Sequence, residues 1–549
     1  MPYSPTMDPI PDRERLSTAN SSGQTLSEPD NGRSQEARLR DLEEAQNQDV
    51  PPIPGIHTGE KQPNLDPERG YEKVDPGDTP NEDPNIVTWD GPTDPENPMN
   101  WGVYKKMIAT LAMGIMTFVV TFASSVFSTA TNQVAKEFSI SVEVAILGTA
   151  LFVLGFAPGP IIWGPMSELY GRKYPLFLGY FGFALFSIGV ATSQNVWSIM
   201  ICRFFGGLFG CAPFAVVGGA LADFYGPVDR GVAACVFAGA SFMGPAAGPI
   251  VGGFISESSL GWRWTEYLTA IMAFSSMIIA WFLIPESYAP VLLSRRAKQL
   301  RFERKNWALR AKVDESPVNI RVILQDYLLR PLKMLVLEPI LLLVTIYLGF
   351  IYGLLYLTFE AFPVSYQTER GYSEGIGSLP FIALFMGFLA GCLIIIWMTK
   401  TRYAAKLAAN GGKVVPEERL PAMMIGAALL PIGLFWFAWS SNPDIHWAPQ
   451  VISGVVIGAG NIVIFFQGIN YIIDCYLMYA NSALAGNTFI RGLFGAAFPL
   501  FATAMYKNLG VAWATSTLAF IALALFPVPI LLFIYGAKLR TLSKFAPTA

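Results

Sequence analysis

Twelve stretches of mostly apolar residues follow one another between Met107 and Tyr535, each close to the roughly 20 residues that cross about 30 Å of hydrocarbon. They lie near 107–127, 142–163, 174–192, 197–221, 231–255, 266–284, 336–359, 376–397, 420–440, 447–473, 481–505 and 512–535. Lipid offers no partner to backbone polar groups, so a crossing segment must be a helix or a strand of a closed barrel. These runs are continuous rather than alternating, which excludes a lipid-spanning barrel. The chain is therefore expected to be an all-α polytopic membrane protein. With 52% hydrophobic and 14% charged residues, it departs from the roughly 25% charged of soluble domains.

A polar insertion at 285–335 divides the spans into six and six, the two-bundle plan of many transporters. The expected organisation is an acidic tail (1–104), a first six-helix bundle (105–284), a central loop (285–335), a second bundle (336–535) and a short end (536–549). Residues 1–104 hold 21 acidic and 8 basic side chains, leaving 20 acidic and 30 basic for the rest. Rich in Pro, Asp, Glu, Asn and Ser, that tail is expected to be disordered. No cleavable signal is expected, since useful apolar length begins only near Met107; the sequon at Asn20 stays unused if the tail is cytosolic.

Basic residues set the orientation. With both termini on one side, Lys105, Lys106, Arg172, Lys173, Arg230, the central loop, Lys400, Arg402, Lys406, Lys413, Arg419, Lys538, Arg540 and Lys544 share that side. Only Lys136, Arg263, Arg370 and Lys507 face the other. The basic side is expected to be cytosolic, in a multi-pass protein of the plasma membrane.

Five scattered cysteines without C-x-x-C spacing indicate neither a disulfide framework nor zinc. Two histidines, His57 and His446, argue against histidine-dependent metal or triad chemistry. No H-E-x-x-H, G-x-S-x-G or P-loop motif is present. Neither an enzyme, a metal, a cofactor nor a nucleic-acid partner is expected; the expected partners are a small-molecule substrate, protons and lipid, with the chain a monomer.

The charged decapeptide between spans two and three, Gly164-Pro165-Met166-Ser167-Glu168-Leu169-Tyr170-Gly171-Arg172-Lys173, must be a tight turn at a membrane face, with Gly164 and Gly171 permitting the bends. It resembles the G-x-L-a-D-r-x-G-r-k signature of the major facilitator superfamily, with Glu168 where that family usually has Asp. The resemblance implies two bundles that rock about a midplane cavity. Within it we expect a latch of Gly164, Glu168, Gly171, Arg172, Lys173, Asp223 and Arg230. Arg172 is expected to pair with Asp223, and Glu168 to sit at the positive N-terminal end of a helix in the opposite bundle, span eleven.

Four further stretches extend the resemblance. In span four, Arg203-Phe204-Phe205-Gly206-Gly207 is similar to the family's R-x-x-q-G element. A guanidinium in a membrane helix marks a transport path by default, and the alternative is a structural charge paired between helices. Span one offers no acidic partner. In span five, Gly239–Gly253 is close to the G-P-x-x-G-G element of antiporters. Gly244, Gly248 and Gly252, with Gly253, provide a surface for close helix approach, and Pro245 and Pro249 are expected to bend the helix. The run Pro285-Glu286-Ser287-Tyr288-Ala289-Pro290, followed by Arg295 and Arg296, resembles a signature of fungal twelve-span drug:proton antiporters. It reads as a basic helix on the anionic leaflet or as a solvated linker. Asn97-Pro98-Met99-Asn100-Trp101 resembles the segment before span one in that subfamily.

In the second half, Glu360 closes span seven, Asp474 closes span ten, and Arg491 lies within span eleven. Helical spacing groups Gln467, Asn470 and Asp474 on one face and Asn487 with Arg491 on another. Such faces look into a cavity or bond between helices. Arg203, Glu360, Asp474 and Arg491 are the transport-path candidates, with Glu360 and Asp474 as proton carriers. Glu143 and Glu266, at helix ends, read as structural. The function implied is a proton-coupled exporter of amphipathic compounds such as drugs, fungicides or secondary metabolites. Polyamine export and a non-transporting nutrient sensor are the alternatives.

Overall fold

The computed structural model describes residues 83, 85–315, 325–411 and 415–546. Residues 1–82, and with them His57, the Asn20 sequon and most of the tail expected to be disordered, lie outside the described residues, as does Lys413.

Among the described residues, eleven helices are long and apolar enough to cross a membrane. The first ten, spans one to ten, are Val103–Glu137, Val142–Leu169, Lys173–Ala191, Val196–Phe224, Asp229–Glu257, Arg263–Leu283, Pro339–Glu369, Glu374–Ala409, Pro416–Trp439 and Trp447–Tyr476. The last, Ala480–Arg540, is two spans in one run: Gly510 leaves helical geometry at φ 72°, ψ 162°. A residue with a side chain would be strained at that positive φ, so glycine is the residue that lets the chain reverse there. Twelve crossings result, in the order read from the sequence.

The crossings pack as two six-helix bundles with the same internal neighbours. In the first bundle span one lies on span five, span two on span four, and span three on spans four and six. In the second, span seven lies on span eleven, span eight on span ten and span nine on span ten. The ring pairs Phe435–Phe520 and Trp439–Trp513 join span nine to span twelve. Repetition of one packing scheme is what an internal six-helix repeat produces.

Small residues set the closest approaches. A Cβ on Gly244 would strike Thr121 and the Phe118 carbonyl, one on Gly248 would strike Ser125, and one on Gly252 would strike Thr129, all on span one. Gly253 meets Ser378 and Glu374 of span eight instead. Span five therefore lies between its own bundle and the other. Its helix runs from Pro227 to Glu257 with both Pro245 and Pro249 inside it.

The residues just before span one, counted with the tail in the sequence reading, are folded. Asp94 is buried and accepts N–H bonds from Asp90 and Glu96. Arg296 of the connecting helix (Ala289–Arg304) pairs with Asp94 at 2.7 Å and also with Asp90. Arg310 binds Asp83 at 2.8 Å and forms a β-bridge with Ile86. Val87 packs on Ala297, Leu300 and Leu309. The connecting helix thus spends its small apolar face on this strap.

Candidate functional site

The decapeptide turn is built around one arginine. Gly171 takes φ +88°, and a Cβ there would run into the Glu286 carboxylate. This lets Glu286 accept the backbone N–H groups of Arg172 at 2.8 Å and Lys173 at 3.2 Å. The Arg172 guanidinium donates to Asp223 at 3.0 Å and to Ser167 at 2.9 Å, with the Tyr288 ring 4.7 Å away. Ser287 also donates to Asp223. Burial raises the Tyr288 phenol above its usual pKa, with the charge of Glu168 acting the same way. The expected Arg172–Asp223 pair is present, but the sequence reading missed Glu286, Ser287 and Tyr288 as its partners. In the sequence those residues stand out only as a signature of the linker. Arg230 makes no ion pair with the cluster among the described residues.

Glu168 leaves this cluster and reaches the other bundle. Asn481, in the first turn of span eleven, donates to it at 3.1 Å. Span two and span eleven touch along their length, Gly492 against Ala157 and Gly495 against Val153.

A second cluster repeats the first. Arg419, in the first turn of span nine, binds Asp474 near the end of span ten at 2.8 Å, with Tyr403 3.6 Å from the guanidinium and donating to the same carboxylate. The same atom types meet as in Arg172–Asp223. The outer partner is reversed in sign: Arg540, ending span twelve, donates twice to Glu417 at 3.0 Å. Asp474 is therefore held inside its own bundle by a cation, bonding between helices, one of the two arrangements its helix face allowed. Asn487 likewise bonds Thr345 of span seven at 3.2 Å. Gln467 and Asn470 are buried, and the Gln467 carbonyl oxygen finds no partner.

Arg203 has the partner the sequence left unassigned. Glu266 of span six lies 3.1 Å away, and both side chains are about 1% exposed. The Gly148 and Ala123 carbonyls accept two further bonds at 3.0 Å each, and Phe127 and Phe152 flank the guanidinium. Arg203 and Glu266 thus form a buried ion pair between spans four and six, and the Nη2 of Arg203 has no hydrogen-bond partner.

At the opposite face a carboxylate again joins the bundles. Glu257, ending span five, accepts from the Ser373 hydroxyl at 3.0 Å and the Gly375 N–H at 2.9 Å, at the start of span eight. The sequence reading did not single it out. At the midplane, Ser124 of span one bonds Tyr356 of span seven at 2.8 Å. The bundles are thus bridged at both faces and between them. Glu360, near that opposite face, bonds only Thr503, at 3.3 Å, and enters no ion pair among the described residues. Among the described residues no group of histidine, cysteine and acidic side chains could hold a metal.

A sequence profile of the Major Facilitator Superfamily matches residues 113–499. The chain belongs to the Major Facilitator Superfamily. Within the superfamily it is similar to the citrinin biosynthesis cluster MFS transporter mrr1 of Monascus ruber, 53% identical over 463 residues covering 84% of this chain and 92% of the relative. It is also similar to the ascochitine biosynthesis cluster MFS transporter of Didymella fabae, 47% identical over 497 residues, 90% and 95% of the two chains. Among solved structures, the proton:xylose symporter XylE shares the fold with a TM-score of 0.56 at 17% identity, over 79% of this chain and 96% of that one. Membership makes the chain a multi-pass membrane protein, and the names of these fungal relatives place them in secondary-metabolite biosynthesis clusters.

Proposed function

We propose that the chain is a proton-coupled exporter that moves amphipathic small molecules, secondary metabolites foremost, out of the cell by alternating access. The observation that carries this reading is the pair of carboxylate bridges between bundles, Glu168 to Asn481 at the basic face and Glu257 to Ser373 and Gly375 at the other. Each is a hydrogen bond to a charged acceptor, worth about 1.5–3 kcal/mol, strong enough to hold a face shut and weak enough to release it. The Arg172, Asp223 and Glu286 cluster keeps the turn bearing Glu168 in place. In this reading the basic face is cytosolic, the membrane is the plasma membrane, and the protein works as a monomer.

Two relatives whose names place them in metabolite biosynthesis clusters support the direction and cargo. The Gly244-Pro245 element, similar to that of antiporters, supports exchange with protons. Glu360 is the proton carrier: unlike Asp474, which Arg419 binds directly, it hydrogen-bonds only a neutral hydroxyl and feels the Lys507 charge without an ion pair. Arg203 serves as a structural pair with Glu266. The same neutralisation of Asp474 weakens polyamine export by leaving Glu360 as the remaining carboxylate of the two that could hold an ammonium cargo.

The test is reconstitution of the full chain in vesicles with an imposed pH gradient, using compounds that cells lacking the chain retain in an untargeted metabolite comparison. Gradient-driven flux that disappears with a protonophore and with Glu360→Gln, at unchanged protein level, is the expected result. Flux indifferent to both removes the coupling, and binding without flux indicates a sensor.

A further inference from the structure

Two arginines lie within electrostatic reach of a single tyrosine at the seam between the bundles. Tyr356 bonds Ser124 across the seam, lies beside Tyr352, and is within electrostatic reach of both Arg203 and Arg491. Glu266 neutralises Arg203. Nothing neutralises Arg491, which is 6% exposed, makes no ion pair or hydrogen bond among the described residues, and leaves its Nε without a partner. The other titratable groups near it, the Tyr352 phenol and the Cys211 thiol, are not acidic residues. A buried guanidinium lacking a counter-charge is costly, and inside a membrane protein such a group marks a substrate or ion path.

The surroundings define what would neutralise it. The guanidinium lies 4.6 Å from the Tyr352 ring and 5.0 Å from the Phe465 ring, so its polar edges stay free while its faces are covered. Asn461, one turn before Phe465 on the same helix face, gives its N–H to the Ile351 carbonyl and keeps an unpartnered carbonyl oxygen. We propose that Arg491 binds the carboxylate of the substrate, which is a flat lipophilic organic acid whose ring rests on Tyr352 and Phe465 and whose hydroxyl donates to Asn461. This names the substrate class of the exporter proposed above and rests on that reading. A planar fork with free N–H groups suits a carboxylate, whereas an ammonium cargo would meet like charge.

The test is equilibrium binding to the full chain in nanodiscs with three matched probes: 2-naphthoate, its methyl ester and 2-naphthylmethylammonium. Naphthoate is expected to bind at least tenfold tighter than the ester, with the ammonium compound weakest. Arg491→Gln should lower naphthoate affinity at least tenfold and leave the ester unchanged. Arg491→Lys, which keeps the charge and loses the planar fork, should retain the anion preference with affinity reduced severalfold, and it decides the matter if the glutamine variant does not fold. Equal or tighter binding of the ester or ammonium probe, no binding of naphthoate, or discrimination that survives Arg491→Gln overturns the proposal. Flux assays on the same preparation separate the two claims. Anion-selective binding without flux overturns the exporter and leaves this site standing, while flux of compounds without anion preference does the reverse.

Discussion

At the scale of single residues, the Arg203–Glu266 pair has the most to lose. Both side chains are about 1% exposed, so neutralising one leaves a buried charge that the other no longer balances, at a cost of about 3–5 kcal/mol. Glu266→Gln and Arg203→Met are each expected to lower the thermal unfolding temperature and the yield of folded protein. The double replacement should recover most of the loss, since removing both charges can be near neutral. Thermal unfolding of the purified variants in detergent checks this, and strictly additive losses would contradict the pairing. The sequence announced Arg203 as unusual but not its partner. The pair joins spans four and six, and no local pattern links positions 63 residues apart. The same blindness hid Glu257, whose partner lies in the other bundle, whereas Arg172–Asp223 could be anticipated because opposite charges stand at span ends on the same basic face.

At the scale of elements, helix boundaries and the small-residue face of span five were legible, because apolar length and glycine spacing are local properties. The strap before span one was not. Its acidic and proline-rich composition reads as disorder, and what orders it is a set of cations supplied two hundred residues later by Arg296 and Arg310. Hydrogen bonding to Arg296, with the N–H groups of Asp90 and Glu96, holds the Asp94 carboxyl down to about 2. Its contribution is thus fully present above the ordinary carboxylate value and lost as pH falls through about 2. The strap should stay protected from protease down to pH 3 and detach below it, while Arg296→Gln should expose it at neutral pH. Limited proteolysis of the segment 83–101 reads both. In span five, Gly248→Val must push span one away by its Ser125 and Val126 contacts, at about 1–3 kcal/mol for overpacking. Lower folded yield than Gly218→Ala, where no neighbour lies within 4 Å, is the expected measurement.

At the scale of the whole molecule, the two bundles meet through spans two and eleven and through spans five and eight, and one carboxylate bridges each pair, Glu168 at the basic face and Glu257 at the opposite one. Glu168 and Glu257 occupy corresponding ends of their helices, yet act on opposite faces. Their removal should therefore bias the molecule in opposite directions. A glutamine keeps the acceptor oxygen but loses the charge assistance, leaving a neutral bond of about 0.5–1.5 kcal/mol where a charged one stood. A loss of about 1.4 kcal/mol shifts a two-state population tenfold. Spin labels at Tyr170→Cys and Lys406→Cys would report the basic face, and labels at Leu260→Cys and Asp444→Cys the other, in a background with the native cysteines replaced. Glu168→Gln is expected to lengthen the first distance and leave the second, and Glu257→Gln to do the opposite. If both variants opened the same face, the bundles would not be rocking between these two carboxylates, and the bridges would be packing contacts of a single rigid state.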